Sequence, residues 1–109
     1  GVAILGTPGG SRIISMVLLA TLEFARGGNA RDMVAQARFH HQFVPDQVFY
    51  EADALSPEQR SELEKLGHHL EQTGDRYGDM QAVVWDHHAG VDAASDPRGQ
   101  GNARVQPRP

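Results

Sequence analysis

Apolar runs separated by polar and glycine-rich turns predict the first two elements of the chain. Residues 2–5 form a short, uninterrupted apolar run that ends at Gly6, which is typical of a buried strand. Residues 12–25 form a longer run and predict a helix of about 14 residues with Ser11 as its N-cap. Because apolar side chains occupy nearly every side of this helix, we expect it to be buried on most sides.

The middle of the chain predicts a helix, a connector and a strand. Asn29 is a good N-cap for a second helix that runs to about residue 38. Residues 39–42 are expected to form an irregular connector. Residues 47–52, which include Val48, Phe49 and Tyr50, predict a strand.

A third helix has the clearest start signal in the sequence. Ser56 is a preferred cap, and Pro57 fits the first helical position because a proline there loses no helical hydrogen bond. We expect this helix to place Leu63 and Leu66 inward and to end at Gly67.

The last part of the chain predicts strands and a tail. Residues 69–72 form a short strand, and residues 80–86 pair with residues 91–95 in a hairpin whose turn is 87–90. Proline, glycine and polar residues dominate residues 99–109, which predicts a disordered tail. The order of elements predicts a layered α/β (α+β) fold with a mostly antiparallel sheet, and this fold looks incomplete.

Charge and composition exclude several classes of protein. The 109 residues are enough for one small domain, and the net charge of −4 argues against a nucleic-acid partner. There is no cysteine, so neither disulfides nor a cysteine zinc site is expected. The longest apolar stretch is shorter than the ~20 residues that span a bilayer, so no membrane partner is expected. Gly1 begins almost inside the first strand, which leads us to expect a fragment of a larger protein.

A strand, the turn Thr7-Pro8-Gly9-Gly10 and a helix start together suggest an anion site, because helix-start amides are unpaired and glycines let a ligand approach closely. A phosphate loop would need Lys-Ser or Lys-Thr after the glycines, and Ser11 is followed by arginine instead. The pattern also differs from the dinucleotide motif. Two readings stay open: an oxyanion hole for acyl transfer, and a tight turn with no ligand.

Other candidate chemistry in the sequence is sparse. All six histidines occur as adjacent pairs without a metal-ligand spacing, so we expect them to be solvated or hydrogen-bonded and expect no metal site. The pairs are His40-His41, His68-His69 and His87-His88. Several aspartates fit turn positions for backbone reasons. Thr7, Ser11 and Thr21 have no base at a recognisable offset, so Thr7 and Ser11 fit local roles in shaping the turn and capping the helix.

Five segments in order resemble the C-terminal part of the gamma-glutamyltransferase small subunit. They are GTPGGSRII, ARFHHQFVPDQVFYE, LSPEQRSELEKLGHHLE, GDMQAVVWD and AASDPR. The resemblance covers residues 2–98 and implies that residues 1–98 are an incomplete segment of the family's catalytic domain. It also implies an N-terminal-nucleophile hydrolase fold, a four-layer αββα sandwich.

The resemblance implies a chemistry and a set of partners. A precursor cuts itself to expose an N-terminal threonine, which lies upstream of Gly1 and attacks the γ-glutamyl amide of glutathione or a related small molecule. Water or an amino acid then resolves the acyl-enzyme, and no cofactor takes part. The family's oxyanion hole carries over onto the backbone amides of Gly9 and Gly10. Each of these two glycines is thereby implied to be a catalytic residue and a substrate-binding residue. The implied partners are the remainder of the small subunit and the large subunit. The residues themselves leave the location unknown, and only the family resemblance suggests a periplasmic or extracellular one.

Two alternatives remain at the level of sequence. The chain is either part of such an enzyme, or a stand-alone remnant that serves as a binding or structural module without catalysis. A further alternative is part of a related acylase that cleaves acylated cephalosporins, since such acylases share the fold and have similar turns. The apolar helix at residues 13–25 favours a fragment, because such a helix expects cover from a partner. We expect the isolated chain to be inactive and prone to aggregate.

Overall fold

The computed structural model describes residues 1–86 and 90–107. In chain order the elements are β1 (Val2–Gly6), a 3₁₀ segment (Gly10–Arg12), α1 (Ile13–Ala25), α2 (Ala30–Ala35), β2 (Phe39–Gln42), β3 (Gln47–Tyr50), α3 (Pro57–Lys65), β4 (Leu70–Gln72), β5 (Gln81–Asp86) and β6 (Gly90–Ser95). The chain divides into two compact units, one of residues 1–36 with the described part of 78–109, and one of residues 37–77.

The first unit is built on a three-stranded sheet with the order β1-β5-β6, in which every pairing is antiparallel. One face of this sheet packs on the helices, with Met16, Met33, Val34 and Met80 among the fully buried side chains. The other face carries alternate residues of the three strands, because successive side chains of a strand point to opposite faces. The predicted hairpin of β5 and β6 is confirmed, while the turn residues 87–89 lie outside the described residues.

The second unit has its own three-stranded sheet with the order β2-β3-β4. The pair β2–β3 is antiparallel and the pair β3–β4 is parallel, so the prediction of mostly antiparallel sheet is confirmed for the chain. Residues 39–42, predicted as an irregular connector, form strand β2. That prediction was wrong because His40 and its neighbours pair with β3, a contact that the local pattern does not reveal.

Helix ends agree with the sequence where a cap is local. Asn29 and Ser56 each form a capping box, in which the side chain accepts the N–H three residues on and that residue's side chain accepts the cap N–H. The prediction for Ser11 was wrong, because Ser11 lies inside the 3₁₀ segment and Arg12 is the cap of α1. The helix after Asn29 ends at Ala35, earlier than predicted.

One prediction of burial needs correction. Leu66 follows α3 and is 76% exposed, so the expectation that it points inward was wrong, whereas Leu63 is half-buried. Within this chain α1 buries only one side, which carries Met16 and Ala20.

No helix of the described residues is long and apolar enough to cross a membrane. Residues 99–107 contain no helix or strand. The disorder of the tail at residues 99–109 and the domain segment at residues 1–98 stay predictions.

Candidate functional site

The glycine turn lies between β1 and α1, where the chain leaves the sheet and enters the 3₁₀ segment. Gly9 has φ +146° and Gly10 has φ +59°. Both values fall in the region that side chains disfavour, so the turn requires glycine at these two positions. The Arg12 N–H donates to the Gly9 carbonyl at 3.1 Å and closes the turn.

The two glycines have different surroundings. A Cβ built on Gly9 would lie 2.6 Å from Met16 Cε, so the Gly9 backbone rests directly on that buried side chain. A Cβ built on Gly10 would meet no described atom within 4 Å. The turn is therefore packed against α1 at Gly9 and open at Gly10.

The backbone amides of the turn are available to a ligand. Gly9 and Gly10 are both exposed. Among the hydrogen bonds of residues 1–86 and 90–107, none has the amide of Gly9 or Gly10 as its donor. Backbone N–H groups are strong donors and rarely stay unpaired once water is excluded, so two adjacent free amides suit an acceptor oxygen from a bound molecule.

Thr7 connects the turn to the rest of the first unit. Its Oγ1 accepts the N–H of Asp79 at 3.2 Å and donates to the Pro8 carbonyl at 2.9 Å. The same oxygen lies 3.9 Å from Met16 Sδ. The sequence had suggested that Thr7 shapes the turn. It gave no indication of Asp79 or Met16 as partners, because these residues meet Thr7 only in the folded chain.

The aspartates near the end of the chain have structural partners. Asp96, almost fully buried, accepts the N–H groups of Met80 and Arg98 and pairs with the Arg98 guanidinium at 3.0 Å. Asp92 accepts the Ala30 N–H at the start of α2 at 2.9 Å. Both carboxylates thus accept backbone N–H groups. The local role predicted for aspartates at turns describes the bond of Asp96 to the N–H of Arg98, two residues on, whereas Asp92 lies within β6 and its partner is 62 positions away.

A histidine cluster lies in the second unit. His41 Nε2 is 2.7 Å from Asp46 Oδ1, and the hydrogen bond from His41 holds the pKa of the Asp46 carboxyl below its ordinary value. The rings of His41 and His68 meet edge to face with centroids 6.1 Å apart. In the part of the chain that the structure describes, no group of three histidine or acidic side chains is arranged to hold a metal ion. His87 and His88 lie outside the described residues.

The sequence matches the family described as Gamma-glutamyltranspeptidase over residues 1–106. It is 39% identical over 107 residues to a glutathione hydrolase proenzyme of Pseudomonas aeruginosa, a match that covers 90% of this chain and 18% of that protein. It is 34% identical over 94 residues to the glutathione hydrolase proenzyme of Escherichia coli, covering 85% of this chain and 16% of that protein. The chain thus spans less than a fifth of the length of these relatives.

A solved structure shows the same fold. The gamma-glutamyltranspeptidase from Pseudomonas nitroreducens, complexed with L-DON, superposes with a TM-score of 0.83 at 37% identity. The match covers 96% of this chain and 55% of the matched chain. The fold of these residues is therefore that of the N-terminal-nucleophile hydrolases, and the predicted mixed α+β class is confirmed.

Proposed function

Because this chain belongs to the gamma-glutamyltranspeptidase family, we propose that it forms part of a glutathione hydrolase or gamma-glutamyltransferase. In this enzyme the chain supplies the oxyanion hole, formed by the backbone amides of Gly9 and Gly10. The observation that supports the assignment most directly is that Gly9 and Gly10 are exposed and that neither amide donates a hydrogen bond within the described residues. The open space at Gly10 agrees with a substrate carbonyl approaching there.

The reaction is an acyl transfer through a threonine ester. The threonine oxygen, supplied by another part of the small subunit, attacks the γ-glutamyl amide carbon of glutathione or a related compound while its own α-amine takes the proton. The carbonyl oxygen becomes negatively charged, and the two glycine N–H groups stabilise that charge by hydrogen bonding. The C–N bond of the substrate amide then breaks, and its nitrogen leaves as a free amine after taking the proton from the threonine α-amine. Water or an amino acid attacks the resulting threonine ester and releases the γ-glutamyl group.

The uncovered surfaces of the first unit support a larger assembly. Val2, Ile4, Val83, Trp85 and Val91 lie on the outer sheet face and are 39–70% exposed. A sheet needs cover on its apolar face, so we propose that the remainder of the small subunit places the second sheet of the sandwich here.

Helix α1 has a second uncovered surface. Ile14, Leu18 and Leu22 repeat every four residues, which places them on one side of the helix, and they are 78%, 56% and 51% exposed. We propose that this side is covered by the rest of the assembly, in which the large subunit also takes part. The apolar helix then becomes buried on most sides, as its sequence predicts.

The test measures hydrolysis of γ-glutamyl-p-nitroanilide by the chain alone and by the chain assembled with the rest of the length that its relatives have. Activity is expected only in the assembled protein, because the proposed threonine nucleophile belongs to another part of the small subunit. Gly10→Val is expected to lower the rate by about 10²–10³, the cost of losing one oxyanion donor, because its side chain would block access to the amides. Gly67→Val is the matched control, since Gly67 also has a positive φ, +96°, and open space within the described residues.

Three outcomes would contradict these assignments. Activity of the chain alone would require a nucleophile among its own residues. A folded, assembled protein without activity on γ-glutamyl substrates would favour a non-catalytic remnant or an acylase with another substrate. Equal activity of Gly10→Val and Gly67→Val would exclude the turn from the active site.

A further inference from the structure

We infer that Thr7 is a positioning residue that fixes the Gly9–Gly10 turn, an inference that rests on the oxyanion role proposed above. Its side-chain hydroxyl connects the turn to Asp79, just before β5. This connection keeps the N–H groups of Gly9 and Gly10 in a fixed orientation. Thr7 itself touches no reacting atom in this assignment. It acts through the backbone that follows it.

The hydroxyl makes two bonds at once. It accepts the N–H of Asp79, a residue 72 positions away, and directs its single hydrogen to the Pro8 carbonyl at 2.9 Å, with Met16 Sδ as a second and weaker acceptor at 3.9 Å. A hydroxyl has one donor and two acceptor sites, so these bonds do not compete. One bond thus holds the backbone of the turn, and the other holds a residue outside it.

The residue outside the turn belongs to a rigid part of the unit. Asp79 precedes Met80, which is fully buried and whose N–H donates to the buried carboxylate of Asp96 at 2.9 Å. Met80 also accepts the Asp96 N–H at 2.8 Å through its carbonyl. The hydroxyl of Thr7 therefore anchors the turn to backbone that is held by buried hydrogen bonds.

Met16 supports the turn from the helix side. Its Cε lies against Gly9, its Sδ is 3.9 Å from the Thr7 hydroxyl, and its side chain is 1% exposed. Methionine is flexible and its sulfur is only a weak hydrogen-bond acceptor, so this contact limits how closely the turn approaches α1 but does not set the direction of the turn. The directional constraint comes from the hydrogen bonds of Thr7.

A glycine turn needs such an anchor. Gly9 and Gly10 have no side chains that could hold them, and glycine has more backbone freedom than other residues. Oxyanion donors must lie about 2.7–3.1 Å from the developing charge. A displacement of about 1 Å costs up to 10²-fold in rate.

The experiment compares Thr7→Val with Thr7→Ser in the assembled protein, with γ-glutamyl-p-nitroanilide as substrate. Valine has the shape of threonine without the hydroxyl, and serine restores the hydroxyl. Thr73→Val is the control, because Thr73 is also half-buried and its hydroxyl donates to a backbone carbonyl, that of Tyr50, at 3.3 Å.

A positioning role predicts a loss in kcat. For Thr7→Val we expect kcat to fall about 10-fold or more with KM within about twofold, since the oxyanion contact forms in the transition state. We expect kcat of Thr7→Ser within about threefold of the wild type and that of Thr73→Val within about twofold. Unchanged kcat in Thr7→Val, or an equal loss in Thr73→Val, would overturn the inference.

A second measurement separates this inference from the proposed function. Hydrogen exchange at the Asp79 amide, followed by mass spectrometry in the same assembled protein, does not depend on activity. Exchange is expected to be faster in Thr7→Val than in Thr7→Ser, because valine lacks the hydroxyl that accepts this N–H. If the wild type is inactive, the proposed function fails while this readout still tests the anchor. Equal exchange in the two variants would overturn the anchor whatever the activity.

Discussion

The ion pair of Asp96 and Arg98 gives the sharpest prediction about stability. Their side chains are 0% and 4% exposed, and Arg98 Nη1 lies 3.0 Å from Asp96 Oδ1. Asp96 Oδ2 accepts the Met80 N–H, and the Arg98 guanidinium donates to the carbonyls of Val34 and Gln36 at the end of α2. The pair therefore joins α2, β5 and the end of β6 in one buried network.

The change Asp96→Asn keeps the shape and removes the charge. One carboxylate oxygen becomes an NH₂ group, which then faces an N–H donor of Met80 or Arg98. Removing one partner of a buried ion pair costs about 3–5 kcal/mol, because the remaining charge stays buried without compensation. Such a loss is a large part of the roughly 5–15 kcal/mol that stabilises a typical domain.

The chain contains a matched control for this prediction. Arg76 and Asp53 form an ion pair of nearly the same length, 3.1 Å, but their side chains are 55% and 72% exposed. An exposed pair contributes about 0–1 kcal/mol, because water solvates both charges and screens their attraction. Asp53→Asn thus removes the same carboxylate as Asp96→Asn, and the main difference between the two ion pairs is their burial.

Urea unfolding of the assembled protein, followed by pulse proteolysis of this chain, measures the difference. Asp96→Asn is expected to lower the free energy of unfolding by about 3–5 kcal/mol, and Asp53→Asn by less than about 1 kcal/mol, with the unfolding midpoints shifted in proportion. Equal shifts for the two variants would refute the reasoning from burial. A midpoint of Asp96→Asn close to that of the wild type would show that the charge of Asp96 adds nothing to the stability of the folded chain.

Two further predictions concern local contacts. Ser56→Ala is expected to destabilise the chain by about 1 kcal/mol in the same urea assay through loss of its capping box with Gln59, whereas Ser61→Ala inside α3 is expected to change stability by less than about 0.5 kcal/mol. Equal effects would contradict the capping role. The His41 hydrogen bond lowers the pKa of Asp46, so stabilisation from this contact is present above the ordinary aspartate pKa and is lost as the pH falls through the lowered value. In a carbon NMR titration, His41→Gln is expected to raise the Asp46 midpoint, and an unchanged midpoint would contradict this cause.

The family and several elements were predictable because their signals are local. The caps at Asn29 and Ser56 act within three residues of themselves, so the sequence contains both partners of each box side by side. The need for glycine at Gly9 and Gly10 was likewise visible as a turn between an apolar strand and an apolar helix. The match of the family over residues 1–106 agrees with the resemblance read from five short segments.

Other features depended on contacts between distant residues. Strand β2 exists because residues 39–42 pair with β3, and a short polar segment such as Phe-His-His-Gln has no strand signal of its own. Leu66 is exposed although its apolar side chain suggested burial. The burial of a residue that follows a helix depends on which other elements pack against it, and the local sequence does not contain that information.

By itself, the sequence determined the family, the glycine turn and the helix caps at Asn29 and Ser56, since each depends on residues close together in the chain. Only the tertiary structure decided what anchors that turn, because Thr7 and Asp79 are 72 positions apart and meet through the pairing of β1 with β5. It also decided that Asp96 is buried with Arg98 while Asp53 stays exposed with Arg76. The physical reason is that burial and hydrogen-bond geometry belong to the packed chain, whereas turn and cap preferences belong to neighbouring residues.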